Sequence, residues 1–245
     1  MPGTLTHLAV ADRIYSILGD GTIKNLPLFF GGNIAPDAIH AKKDYQRADK
    51  RHSHLCDGIH LYGYGCPKMS LLFKGRINEF FKKYYMTAGE DRDLYWGYIV
   101  HLLVDEFYMF SVFNRLENHL KNSGANPYEP GLRQKLASEL SDDPQKYNPA
   151  YTGFFSKTLS LIDISANNYD FKQNAVEILE AVWDYEVKDH ISANEINTSK
   201  RWVIDNLFKS EEMKNLANSE IAVNWVDLAA KEIIGRLQFM LQSCL

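Results

Sequence analysis

Cysteine is scarce in this chain, with three residues in 245, at positions 56, 66 and 244. Cys56 and Cys66 stand ten apart and Cys244 is remote from both, so neither a disulfide framework nor a thiolate metal site is indicated. Free thiols in a reducing compartment are the natural reading. No apolar run approaches the roughly 18 residues that a membrane span needs. The start, Met1-Pro2-Gly3-Thr4, has neither a cationic region nor a long apolar core, so no secretory leader is expected and a cytoplasmic setting is. A dominant charge sign is missing too. Lys and Arg number 27 against 31 Asp and Glu, a net charge of −4 that offers no basic footprint for bulk nucleic-acid binding. The basic run from Lys42-Lys43 to Lys50-Arg51 is broken by Asp44 and Asp49. Strand signals are weak everywhere, because the β-branched runs are short and do not alternate. There is no internal repeat, no low-complexity tract and no linker, so one domain is expected over residues 1–245.

What the chain does have is apolar periodicity. A hydrophobic content of 45% with 13% aromatics is ample for a sizeable core and excludes disorder as the main state. The spacing predicts an all-α, multi-helix domain. The first helix runs from Leu5 to Leu18, with Thr4 or Thr6 as N-cap and Gly19-Asp20-Gly21 ending it. A second runs from Ser70 to Met86, and a long apolar one opens at Asp91 or Asp93 and continues to about Leu120. Further helices are expected at about 132–140, 150–162, 170–189, 198–208 and 219–242. Residues 26–69 read as a long irregular region, holding five glycines, three prolines and half of the eight histidines. Loops of that length in a compact domain are usually functional or ordered by a ligand.

The long helix carries the most informative pattern. In Gly97-Tyr98-Ile99-Val100-His101-Leu102-Leu103-Val104-Asp105-Glu106, an imidazole and a carboxylate stand four apart among apolar neighbours. Side chains at i and i+4 share a helix face, so His101 and Asp105 point the same way. A helix apolar nearly all round is buried, and a buried carboxylate is costly unless paired or bound to a metal. Two readings fit: a hydrogen-bonded core His–Asp pair, or two ligands of a divalent cation. Glu106 is turned about 100° away and reads as a salt-bridged helix carboxylate. Five histidines lie in the first quarter, at 7, 40, 52, 54 and 60, together with Asp37 in the loop-like Gly31-Gly32-Asn33-Ile34-Ala35-Pro36-Asp37. Imidazoles and carboxylates mixed in this way are the ligand set of zinc, or of manganese or iron, in hydrolytic sites. The bland alternatives are a turn aspartate after proline for Asp37 and a core helix residue for His7. His52 rivals His54 for one role, His40 could stand beside the site, and His60 reads as a loop histidine.

The order of Thr6-His7, Ala35-Pro36-Asp37, Ser53-His54 and Gly97-x3-His101-x3-Asp105 resembles the zinc-dependent phospholipase C family, whose fold is shared with single-strand-specific zinc nucleases. More narrowly it resembles a small intracellular branch beginning Met-Pro-x3-Thr-His, with an Ala-Pro-Asp loop and a segment like Arg51-His52-Ser53-His54-Leu55. The likeness covers roughly residues 1–115. It implies a first metal held by Asp37, His54, His101 and Asp105, and a second held by His7 with Asp105 as the bridging carboxylate. The chain departs from the family in two respects. It lacks the N-terminal tryptophan ligand, and it has no histidine between Glu106 and Asn118, only His119 and His190 further on. A site of one or two ions is therefore expected, not three.

The resemblance implies metal-dependent hydrolysis of a phosphoester or phosphodiester, with Asp37 orienting the attacking water and zinc as the expected metal. The expected substrate is a small intracellular phosphoester. A histidine–aspartate phosphohydrolase would need an adjacent His-Asp dipeptide, and none occurs. The alternative from another class is a non-catalytic, metal-stabilised helical binding or scaffold protein, whose mark would be a closed coordination sphere.

Overall fold

The computed structural model describes residues 4–59, 67–122, 175–182, 184–207 and 220–242. Among them the regular elements are helices: α1 (Thr4–Leu18), α2 (Leu26–Ala38), α3 (Arg47–Ser53), α4 (Pro67–Lys83), α5 (Arg92–Asn122), α6 (Ala175–Glu180), α7 (Ala193–Leu207) and α8 (Glu220–Gln242). The only extended pairing among the described residues is an isolated antiparallel bridge between Val187 and Ile191. The architecture of this part is all-α, and no described helix is long and apolar enough to cross a membrane. The helices expected at 132–140 and 150–162, and His60, lie outside the described residues.

The first half of α5 is the axis of the molecule. Ile99, Val100, Leu102, Leu103 and Val104 are all buried, as are Trp96 and Tyr98. Helix α2 crosses α5 as its principal neighbour, α1 packs on both, α7 covers α2, and α8 lies along α1 and meets the middle of α5. Two polar ties fix α8. Arg13 of α1 meets Asp227 at 2.6 Å, and Arg236 donates to the buried Glu106 of α5. The ion pair read for Glu106 from the sequence thus spans two helices.

The described residues of 26–69 are not the irregular stretch that their composition predicts. Residues 26–53 form α2, a 3-10 turn at Ile39–Ala41, and α3. Glycine and proline ordinarily weaken a helix, and here tertiary contact overrides that preference. A Cβ on Gly32 would lie 1.8 Å from the Leu94 carbonyl oxygen, and one on Gly97 would lie 1.9 Å from that of Phe29. The two glycines therefore let the backbones of α2 and α5 touch, an approach no other residue allows. Pro27 sits in the first turn, where its missing N–H costs nothing, and Asn25 caps that turn by accepting from the Leu28 N–H. The buried Asp93 at the start of α5 accepts from the backbone N–H groups of Lys24 and Asn25 at 2.8 and 2.6 Å, tying the starts of both helices together. Helix α3 opens with a reciprocal capping box between Gln46 and Asp49.

The helix expected over 170–189 is also shorter, described only at Ala175–Glu180. Beyond it, the Val182 carbonyl is taken by the Lys200 ammonium at 2.6 Å, and Asp184 and Asp189 adopt positive φ angles of 49° and 66°, which no helix accommodates.

Candidate metal centre

Four segments of chain bring five side chains to one point beneath the α2–α5 crossing. His7 comes from the first turns of α1, Asp37 from the last turn of α2, His54 from the residue capping α3, and His101 and Asp105 from α5. The touching backbones of α2 and α5 set the register. They bring the Asn33 carbonyl to 2.7 Å from His101 Nδ1. That nitrogen is the donor, so the His101 lone pair is on Nε2, which points inward. Helix α3 is held by the Ser53 hydroxyl donating to the Pro36 carbonyl at 3.0 Å and by the Tyr98 hydroxyl donating to the Ser53 carbonyl. His54 Nδ1 donates to the Lys50 carbonyl at 2.9 Å, which again leaves Nε2 facing the centre. Two imidazoles are thus fixed in tautomer and direction by backbone carbonyls, the arrangement that orients metal-ligating histidines.

The donor atoms sit close together. His54 Nε2 is 3.4 Å from Asp37 Oδ1 and 3.6 Å from Asp105 Oδ2, and His101 Nε2 is 3.8 Å from Asp105 Oδ2. His7 Nε2 lies 3.4 Å from the other oxygen, Asp105 Oδ1, and its ring stacks on His101 with centroids 3.6 Å apart. Ligands on a tetrahedral zinc at roughly 2.0–2.1 Å stand about 3.4 Å from one another. Asp37, His54, His101 and Asp105 Oδ2 approach that spacing, while His7 addresses the opposite oxygen of the same carboxylate.

Burial makes this clustering informative. His7 Nδ1 and Nε2, His54 Nε2, His101 Nε2, and both oxygens of Asp105 are buried and lack a hydrogen-bond partner. Each such atom costs about 1–3 kcal/mol when left unsatisfied, more if charged. The donor set, imidazole nitrogen plus carboxylate oxygen, fits zinc and related divalent ions. Two overlapping triads have mutual separations within 4.8 Å: His7, His101 and Asp105, and Asp37, His54 and His101.

The electrostatics keep His101, Asp105 and Asp37 in their binding forms. Burial, together with the neighbouring His7, lowers the pKa of His101 to about 3, so the ring is neutral. Burial alone would raise the Asp105 carboxyl, but the surrounding rings of His7, His101 and His54 bring it down to about 2. Asp37 is likewise pushed up by burial and then carried well below the ordinary carboxylate range by His54, His101 and Lys50. Neutral imidazoles and ionised carboxylates are the states that coordinate.

All five residues singled out in the sequence converge here. His40 stands at the edge, its Nε2 3.9 Å from Asp37 Oδ1. His52 points away, its Nδ1 at 2.9 Å from Asp57 and its ring stacked on His190, so His54 and not His52 faces the centre. Asp37 lies on a helix and not in a loop. One participant escaped the sequence reading. Lys50 places its ammonium 2.9 Å from Asp37 Oδ1 and 3.2 Å from His40 Nε2. Its signal was the i, i+4 spacing to His54, visible only once 47–53 is recognised as a helix.

No protein-family model matches the chain, and no curated protein and no solved structure matches it.

Proposed function

We propose that the protein is a metal-dependent hydrolase of phosphoesters or phosphodiesters, with zinc as the preferred ion. The motif order that resembles zinc-dependent phospholipase C supports this reading. The observation that carries it is the group of buried, unpartnered imidazole and carboxylate atoms around Asp105. His54, His101, Asp37 and Asp105 would hold one ion, and His7 with the other oxygen of Asp105 a second. A divalent ion there supplies Lewis acidity toward a phosphoryl oxygen and lowers the pKa of water toward neutrality.

The chain's own residues divide the remaining work. Asp37 is the member of the set that reaches solvent, with 14% of its side chain exposed against 2% or less for His7, His54, His101 and Asp105. It stands where substrate and water arrive. A carboxylate held so far below its ordinary pKa is a poor proton acceptor but a firm hydrogen-bond acceptor, so its role is to orient the attacking water. That water's oxygen bonds to phosphorus as the bond from phosphorus to the ester oxygen breaks; the proton lost by the water goes to bulk solvent, and the departing ester oxygen takes one up from it. Lys50, paired with Asp37, keeps the entrance from repelling an anion. With two carboxylates, one ammonium and one divalent ion, the local balance is +1.

The burial of His7, His101 and Asp105 favours the second reading, a metal that only stabilises a helical scaffold. One experiment separates the two. Hydrolysis of bis(4-nitrophenyl) phosphate should be measured on protein of known metal content, before and after chelation and after zinc is restored. Hydrolysis that is lost on chelation and regained with zinc is expected. A protein that holds stoichiometric zinc and cleaves nothing is a scaffold.

A further inference from the structure

A cavity of about 350 Å³ opens directly on Asp37, bounded by Thr4 of α1, His40 and Ala41 of the 3-10 turn, and Thr198, Ser199 and Trp202 of α7. On α7 the buried positions are Ile196, Lys200 and Val203, spaced for one helix face. Thr198, Ser199 and Trp202 lie three and four apart on the flank beside it. Trp202 lines this cavity with 59% of its surface exposed. An exposed indole in a cavity wall beside a candidate phosphoryl site is a stacking platform.

We infer that this cavity binds the organic group of the substrate, and that this group carries a planar ring which stacks on Trp202 while its single phosphate faces Asp37. The inference rests on the hydrolase reading for the position of the phosphate. Three observations select the ligand class. The volume is at the low end of ligand pockets, roughly 300–1,000 Å³, which suits one ring system and excludes a polymer. The hydroxyls of Thr4, Thr198 and Ser199 are neutral and serve ring heteroatoms or ring hydroxyls; Thr198 already donates to the Asn194 carbonyl at 2.8 Å and keeps its acceptor capacity. The described wall contains no lysine or arginine, so among the described residues it offers no partner for a second or third phosphate. Lys50 stands behind Asp37, its ammonium 2.9 Å from Oδ1.

The test uses phosphonates, whose C–P bond the proposed reaction cannot cleave, so binding is read without turnover. Phenylphosphonate and methylphosphonate carry the same charged group and differ by the ring. Each is titrated calorimetrically into zinc-loaded wild-type protein and into W202A and W202F. The wild type should bind phenylphosphonate about tenfold or more tightly than methylphosphonate, in line with the stacking of one ring on an aromatic side chain. W202A should erase that preference while leaving methylphosphonate affinity unchanged, and W202F should retain several-fold of it. Equal affinities in the wild type, an unchanged preference in W202A, or no binding of either compound would overturn the inference. Diester hydrolysis by the same samples keeps the two readings distinct. Ring-dependent binding without hydrolysis sinks the hydrolase and leaves the pocket; hydrolysis with no effect of Trp202 does the reverse.

Discussion

Replacing Asp105 by asparagine alters the centre while changing almost nothing in volume. The amide keeps one oxygen but loses the negative charge, and it places an NH₂ where a second oxygen had faced an imidazole. In the wild type Asp105 Oδ1 lies 3.4 Å from His7 Nε2, and Oδ2 lies 3.6 and 3.8 Å from His54 and His101 Nε2. Both proposed ion positions use it. A ligand that binds only the folded state at 100 to 1,000 times its Kd stabilises that state by about 2.7–4.1 kcal/mol. For a chain of this size 1 kcal/mol shifts the melting temperature by roughly 2–4 °C, so saturating zinc should raise the wild-type Tm by roughly 5–16 °C. D105N should lose nearly all of that shift. Differential scanning fluorimetry of metal-stripped protein, with and without zinc, reads it directly. E106Q is the control, since Glu106 is the next residue but is turned about 100° round α5, where it pairs with Arg236. It should melt below the wild type, because breaking a buried pair costs on the order of 3–5 kcal/mol, yet keep the full zinc shift. A zinc shift retained in D105N, or lost equally in E106Q, would show that the buried donors are not a metal site on this face of the helix.

Three further outcomes follow from the same geometry. H7A should lower zinc content by part of its total, read by elemental analysis, because Asp37, His54 and His101 remain in place; unchanged stoichiometry would remove His7 from the ligand set. G97A should cost about 1–3 kcal/mol or more in chemical unfolding, since its Cβ would meet the Phe29 carbonyl 1.9 Å away. By parting α2 from α5 it should also weaken zinc binding, and a variant that binds zinc normally would uncouple the crossing from the site. Acid should destabilise the metal-free protein. The His101 pKa of about 3 in the fold stands against 6.5 when unperturbed, so the unfolded chain takes up the proton first and stability falls as pH drops from 6.5 toward 3. Asp105, at about 2 against 3.8, adds its loss between pH 3.8 and 2. Urea midpoints unchanged between pH 7 and 5 would contradict the buried, neutral His101.

The sequence by itself determined most of the helices and the identity of the clustered side chains. Apolar periodicity marks α1, α4, α5, α7 and α8 because each buries a stripe against neighbours, and such a stripe is written in residue spacing. His101 and Asp105 were legible together because i, i+4 residues share a face whatever surrounds the helix. Their convergence with His7, Asp37 and His54 was expected from motif order, and only the fold brings them within a few ångströms. The segment holding Asp37 misled, since Gly31-Gly32 and Pro36 carry the local signature of a loop. Gly32 is an interhelical contact with α5, and a contact between segments sixty residues apart leaves no mark in local propensity. The same holds for Lys50, noted in the sequence only as part of an interrupted basic run, which α3 places on Asp37. It holds also for Trp202, whose position beside Asp37 depends on α7 packing over α2. Local spacing decides which residues share a face, while the packing of faces decides which residues meet, because only the packed state has an energy that depends on both partners.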